Sequence, residues 1–406
     1  MSIESHRESR ASRIEQTAPI DVILAALLGL MVTVTTSGSA QTYQVLYSFT
    51  GGADGGDPVA SLTVDTAGNL YGTAAEGGDL SCGISGGCGV VFKLDPSGVE
   101  TVLHTFTGPD GAVPIAGLLR DAAGNLYGNT GEGGAYGYGA VFKLNTTGQE
   151  TVLYSFSGGE DGLYPWYDTL IRDSAGNLYG TTTGGGMDGD GAVFSVGVTG
   201  AETVVHSFTG TPDGEAPTAG LTYKAGAVYG TTCCGGAYGT GTVFKVDSGS
   251  ESVLYSFADG SDGAYPNGAL LPGLDGDWYG TASEGGEFLC GLSYGCGVVF
   301  RLDSTGHESV LHTFEGRPDG ALPIAGLIRD DKGDLYGTTY EGGTHDRGVV
   351  FELDAKGQET ILHNFKGADG GNPIAGLVRD TAGNLYGAAQ NGGAFGHGVI
   401  FKLAPK

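Results

Sequence analysis

The stretch from Pro114 to Phe156, PIAGLLRDAAGNLYGNTGEGGAYGYGAVFKLNTTGQETVLYSF, recurs in seven versions, and no other feature constrains the fold as tightly. A terminal phenylalanine of each unit falls at Phe49, Phe106, Phe156, Phe208, Phe257, Phe314 and Phe365, and an LYG-type tyrosine at Tyr71, Tyr127, Tyr179, Tyr229, Tyr279, Tyr336 and Tyr386. A third mark, the phenylalanine of VF or IF, returns at Phe92, Phe142, Phe194, Phe244, Phe300, Phe351 and Phe401, so the phase never slips. Each unit holds four short segments of strand character, in the quoted copy IAGLLRD, NLYGNT, AVFKLN and ETVLYSF, parted by Gly, Asn and Asp turn signals. AGN and TTG are tight hairpin connections in which Gly or Asn takes positive φ, so neighbouring strands run antiparallel. Four such strands in about 50 residues match the propeller class, where each sheet packs face to face on the next. No stretch of the repeats keeps a 3.6-residue period over a helical length. The expected fold is therefore all-β, a seven-bladed β-propeller of four-stranded antiparallel blades.

Tyr43 to Phe49 is a lone fourth-type strand ahead of the first complete set, and the last set reaches Leu403 without one. The N-terminal strand is expected to complete the final blade and close the ring, leaving no unpaired array ends. Residues 41–406 then form one domain, since a closed repeat array absorbs this length as one unit.

The 79 glycines are periodic and sit between apolar runs, which marks them as turn punctuation and not as disorder. With 46 acidic against 19 basic residues and a net charge of −27, the chain has no basic stripe for nucleic acid or an anionic membrane. Val22 to Val34 is a short apolar run, preceded by Arg7, Arg10 and Arg13 and followed by Ser37, Gly38, Ser39 and Ala40. That pattern reads as a signal peptide cleaved after Ala40, or as an N-terminal anchor, because Glu4, Glu8, Glu15 and Asp21 offset the arginines. The run is short of the roughly 20 residues of a membrane span. Cys82 and Cys88 in DLSCGISGGCG, and Cys290 and Cys296 in EFLCGLSYGCG, are spaced for loop disulfides in an oxidising compartment; metal ligation is the competing reading. The adjacent Cys233 and Cys234 are either a vicinal disulfide or a free pair. A secreted or surface protein, monomeric, is expected.

GNLYGTT-type strands, an xGG element, GxVFKL, GxET and VLxSF together resemble the glycine-rich tandem repeat of the "choice-of-anchor GloVer-containing" proteins, over essentially all of residues 43–404. The resemblance implies an exported, surface-associated protein with no assigned activity. Members of that family commonly carry a C-terminal sorting anchor; here Pro405-Lys406 follows the last repeat, and free secretion or N-terminal retention is expected instead.

The DGxxP connection and the xGG loop alternate with the two hairpins and must share the opposite face. Asp54, Asp110, Asp161, Asp213, Asp262, Asp319 and Asp369 each precede glycine there. Seven carboxylates in a ring can collect calcium, which needs six to eight oxygens around one ion, yet Asp-Gly is also a turn former whose carboxylate caps backbone N–H groups. The turn reading is preferred and no other cofactor is expected. His104, His206, His312 and His363 share a repeat position with Tyr47, Tyr154 and Tyr255, which points to packing between sheets. Four residues before the VF/IF phenylalanine the side chain varies, as Tyr138, Asp190, Thr240, Arg347 and His397, and variation on a regular scaffold is how a binding face reads.

The third unit departs most, with Pro165-Trp166-Tyr167-Asp168-Thr169-Leu170 carrying one extra residue. An extra residue suggests a bulge, and adjacent Trp and Tyr beside an Asp suit a stacking platform for a sugar ring; the alternative is an aromatic plug of the channel mouth. Glu76, Glu132, Glu284 and Glu341 of the xGG element are candidate acids for glycan chemistry. No GxSxG, HExxH, phosphate-binding loop or dinucleotide fingerprint is present. The leading expectation is a propeller that binds a glycan or an extracellular protein through Trp166, Tyr167, Asp168, Glu132, Tyr138, Asp190, Glu341, Arg347 and His397. A polysaccharide-active enzyme at the same mouth comes second, and a structural envelope component third.

Overall fold

The computed structural model describes residues 41–167, 169–286 and 290–404; residues 1–40, expected to be a signal peptide or N-terminal anchor, and Asp168 lie outside the described residues. Seven four-stranded antiparallel sheets form the propeller. In the first blade they are β2 (Thr63–Val64), β3 (Leu70–Ala74), β4 (Val90–Leu94) and β5 (Glu100–Thr105), in that order from one sheet edge to the other. Blades two to six begin at Leu119–Arg120, Ile171–Arg172, Thr222–Lys224, Leu271–Pro272 and Ile328–Arg329. The seventh is split: β26 (Val378–Arg379), β27 (Leu385–Ala389) and β28 (Val399–Leu403) are joined by β1 (Tyr43–Ser48), with Tyr43 opposite Leu403. The expected closure by the N-terminal strand is present.

The periodic phenylalanines explain why blades stack. Phe106, directly after β5, and Phe142 in the second blade are both fully buried and meet edge-on, centroids 5.2 Å apart at 70°. The same pair recurs at the fifth-to-sixth seam as Phe314 and Phe351, at 5.2 Å and 65°. The LYG glycine makes room for it: a Cβ on Gly72 would stand 2.7 Å from Phe92.

A bulge sets the chemistry of every seam. Across β4 and β5, Phe92 lies opposite Val102 but Val91 lies opposite His104, so Leu103 is the extra residue. Directly opposed residues share a face. Glu100 and Val102 therefore face the preceding blade with Phe92, whereas His104 faces the following one with Val91. Each outer strand thus offers an imidazole or phenol forwards, and six of the seven offer an acid backwards, β1 carrying Tyr43 at that position.

Candidate functional site

The DGxxP and xGG segments do share one face, where Ala112 pairs with Glu132 and Gly56 with Glu76 in short bridges. At its centre the residue before each repeat proline adopts the left-handed region: Asp57, Val113, Tyr164, Ala216, Tyr265, Leu322 and Asn372, with φ between 49° and 57°. That conformation is sparsely populated for non-glycine residues and persists only when the surroundings over-determine it. They do so here. Asp57 N–H donates across the seam to the His397 carbonyl (3.0 Å), and Ala75 N–H donates to the Asp57 carbonyl (3.1 Å). Tyr164 repeats this with Tyr138 and Thr183 (3.0 and 3.1 Å). The frame is constant and the side chains it lifts to the mouth differ from blade to blade.

One side of that mouth is a pocket of about 520 Å³ lined by Asp57, Glu76, Glu132, Ile84, Ser85, Val113, Trp166 and Tyr167 among others, with no lysine or arginine among the described residues. Ile84 and Ser85 belong to the loop closed by the Cys82–Cys88 disulfide. Burial first, and the Glu76 carboxylate after it, push the Asp57 carboxyl up to about 6 against the opposing pull of a Gln390 hydrogen bond and of His397. A run of rings leads into the pocket: Tyr138 to Tyr164 (5.9 Å), Tyr164 to Trp166 (5.5 Å) and Trp166 to Tyr167 (6.4 Å). The Trp166 indole is seated on Gly131, where a Cβ would stand 2.2 Å from its Nε1. Nε1 itself is buried without a hydrogen-bond partner among the described residues. The inserted Tyr167, with φ of 57° and 42% exposed, borders both this pocket and the axial cavity. Partial burial, then the Asp57 carboxylate and Tyr340, raise its phenol above the ordinary value.

The axial cavity, about 390 Å³, is apolar where Val59, Ile115, Ile324 and Ile374 line it. Its polar side is a relay in which Thr218 Oγ1 donates to Asn267 Oδ1 (2.8 Å) and Asn267 Nδ2 donates to Ser283 Oγ (3.1 Å).

The structure brings together Trp166, Tyr167, Glu132 and, through Tyr164, Tyr138. His397 adjoins the same site through Asp57 and packs on Gly51, where a Cβ would meet its ring at 2.6 Å. Asp190 sits against Gly210 and Arg347 against Gly371, at the third-to-fourth and sixth-to-seventh seams. Glu341 lines a separate pocket of about 400 Å³ under the Cys290–Cys296 loop, with Arg317 and Asp346. Glu132 and Glu341 therefore serve different pockets. Sequence reasoning passed over Asp57 and Tyr164; the signal was the variation before each repeat proline, as Asp, Val, Tyr, Ala, Tyr, Leu and Asn.

Both loop disulfides are formed, with Cα–Cα distances of 6.1 and 6.2 Å, and Cys233 and Cys234 are free with Sγ atoms 2.7 Å apart. The Asp-Gly carboxylates are engaged within their own loops. Asp110 accepts from Thr107 N–H (2.8 Å) and Oγ1 (2.9 Å) and pairs with His104 Nε2 (3.0 Å), while Asp161 accepts from Ser157 and from the Tyr154 hydroxyl (2.8 Å).

A model of the Gloeobacter/Verrucomicrobia repeat matches residues 25–165, 80–294 and 288–406. The chain belongs to that repeat family. No curated protein matches it. Among solved structures, the extracellular domain of a B. thetaiotaomicron protein assigned as a hybrid two-component system aligns at TM-score 0.55 and 13% identity, over 90% of this chain and 41% of that one. That of a one-component system from the same organism aligns at TM-score 0.55 and 11% identity, over 89% and 40%. The chain spans about two fifths of each of those extracellular-domain chains, and the likeness shows the fold. Among the described residues no helix is long and apolar enough to cross a membrane.

Proposed function

We propose that this repeat-family propeller is a secreted or surface-held binding module that takes a hydroxyl-rich, neutral or amine-bearing glycan in the mouth pocket of its first three blades. The observation that carries this is the convergence, in one pocket, of Asp57, Glu76 and Glu132 with the rings of Trp166 and Tyr167 and with no basic side chain among the described residues. Aromatic faces stack on the apolar faces of sugars, and carboxylates accept hydrogen bonds from hydroxyl and ammonium groups while repelling uronates and sulfates. The two loop disulfides and the extracellular solved neighbours support an oxidising compartment.

The test is binding of residues 41–406 to neutral, amine-bearing and acidic polysaccharides, with and without calcium, alongside Trp166→Ala and Tyr167→Ala. Binding confined to the first two classes and lost in both variants is expected. A blank array, or preference for acidic chains, would sink the reading and turn attention to a protein partner. Loss of binding when calcium is withdrawn would revive a cation role for the Asp-Gly ring. A specific observation also favours a second reading: a carboxyl held at about 6 beside Glu76 suits a proton donor. Shortened chains on the array, abolished by Asp57→Asn with binding intact, would make the protein a polysaccharide-active enzyme.

A further inference from the structure

Each outer-strand glutamate reaches back to the Asp-Gly carboxylate of the preceding blade. Three seams complete a His, Asp and Glu set: His104, Asp110 and Glu150; His206, Asp213 and Glu251; His312, Asp319 and Glu359. In the first two the imidazole is already spent, since Nε2 pairs with the aspartate Oδ2 at 3.0 and 3.2 Å. There a threonine hydroxyl, from Thr107 or Thr209, holds Oδ1 and leaves Oδ2 for the histidine. At the fifth-to-sixth seam the threonine position is Glu315, which has no hydroxyl to give. The Asp319 carboxylate instead straddles Glu315 N–H, 3.1 Å to each oxygen, with Oδ1 also accepting from Gly320 N–H at 2.8 Å. Its Oδ2 is left 3.4 Å from His312 Nε2.

The imidazole is stranded at this seam. His312 Nε2, alone among the four repeat histidines, is shut off from solvent with no hydrogen-bond partner among the described residues, and it faces a Glu359 Oε1 that is unpartnered like the same oxygen of Glu100, Glu150, Glu202, Glu251 and Glu308. Buried polar groups are ordinarily satisfied, and an orphan imidazole nitrogen beside two carboxylates calls for an explanation. The three residues each offer one ligand atom within 4.8 Å of the others, the only such set among the described residues.

We propose that His312, Asp319 and Glu359 bind a divalent transition-metal ion of the zinc class. One imidazole and two carboxylates are borderline-to-hard donors, with no lysine or arginine ion-paired to them among the described residues, and such ions take these ligands at about 2.0–2.2 Å. Atoms arranged tetrahedrally at that distance stand roughly 3.4 Å apart; the His312–Asp319 separation already meets this, and rotation of the Glu359 side chain brings in the third. Three protein ligands leave a fourth position for water. The site lies apart from the mouth pocket and does not depend on the glycan reading.

The experiment uses residues 41–406 carrying Cys233→Ser and Cys234→Ser, so that the free thiols capture no metal. After stripping with EDTA the protein is titrated with Zn²⁺ and, for a visible spectrum, Co²⁺. One equivalent is expected to bind, to give the absorption of a low-coordinate cobalt site, and to raise the melting temperature. His312→Asn and Glu359→Gln should each weaken binding at least tenfold, whereas the matched His104→Asn should leave it unchanged. Absence of stoichiometric binding, undiminished binding in both variants, or equal loss in His104→Asn would overturn the proposal. Circular dichroism of the stripped variants separates ligand loss from misfolding, and if one fails to fold the other decides.

Discussion

The seam between the first two blades and the seam between the fifth and sixth start from nearly the same text and end with different surfaces. Both carry the six-spaced cysteine loop, closed at 6.1 and 6.2 Å, both bury the same phenylalanine pair, and both place an xGG glutamate below the loop, Glu132 and Glu341. At the first, Ile84 and Ser85 border an acidic pocket walled by Trp166 and Tyr167. At the other, Arg317 meets Asp346 at 3.0 Å over the corresponding pocket. Where Gly131 leaves room for the Trp166 indole, the other seam has Tyr340, and Ile374 stands where Trp166 would be. The aromatic bulk comes down from the next blade in one case and up from the same blade in the other. Single-residue changes on a fixed frame, Tyr167 inserted here and Arg317 there, decide what each seam presents.

If the frame is common and only the rims differ, the cores should respond alike. Phe106→Ala and Phe314→Ala each remove a fully buried ring from the same edge-on pair. Each is expected to cost about 3–5 kcal/mol, equal to within about 1 kcal/mol. Denaturant melts of both variants check this, and a clear inequality would show that the seams differ below the rim.

The rim itself breaks at Gly131. An alanine Cβ there would stand 2.2 Å from Trp166 Nε1, so Gly131→Ala must push the indole off its seat. Overpacking of this kind costs about 1–3 kcal/mol, and glycan affinity should fall at least tenfold with the fold retained. Retained affinity would show that the indole position is irrelevant to binding.

Much of this was legible because the phase of three phenylalanine and tyrosine marks and the spare strand at Tyr43 determine a closed seven-bladed ring by counting. What stayed hidden depends on backbone parity. Strict alternation along β5 would put Glu100 and His104 on one face, and only the extra Leu103 sends them to opposite blades. Nothing in ETVLHTF announces that bulge. The left-handed ring was hidden for another reason: a residue before proline is ordinarily held in the extended region, so nothing marks Asp57 and Tyr164 until their inter-blade hydrogen bonds are seen. The resulting cluster of Asp57 with Glu76 crosses from a loop to a neighbouring turn and has no sequence spacing of its own.

A pH test sharpens the same contrast. Burial, opposed by His104 and reinforced by the Asp110 carboxylate, pushes Glu150 up to about 7. An unfolded glutamate titrates near 4.3, so between these values the folded chain holds a proton that the unfolded chain has lost. The contribution of Glu150 to stability is therefore complete below about pH 4.3 and is lost as pH rises through about 7. Glu150→Gln should match the parent at pH 4 and exceed it at pH 8, by no more than about 1 kcal/mol once solvent screening is allowed for. Parallel stability curves across that range would refute the assignment.

The smallest effect belongs to the feature that most visibly separates the two seams. The Arg317–Asp346 pair spans two side chains that are 62% and 52% exposed, so water and salt screen it and two long side chains are immobilised to form it. Arg317→Ala should cost about 0.2–1 kcal/mol, and less as salt is raised. Its value lies in what it uncovers. With the guanidinium gone the pocket over Glu341 keeps its acids and loses the only base among its described lining residues, which makes it resemble the first seam in charge but not in aromatic wall. Acidity alone would then suffice for glycan binding if this variant gained a second equivalent of ligand. If it gained none, while Trp166→Ala lost the first, the stacking wall would be the discriminating element, and the inserted residues of the third blade would be what turned one of two near-identical seams into a binding site.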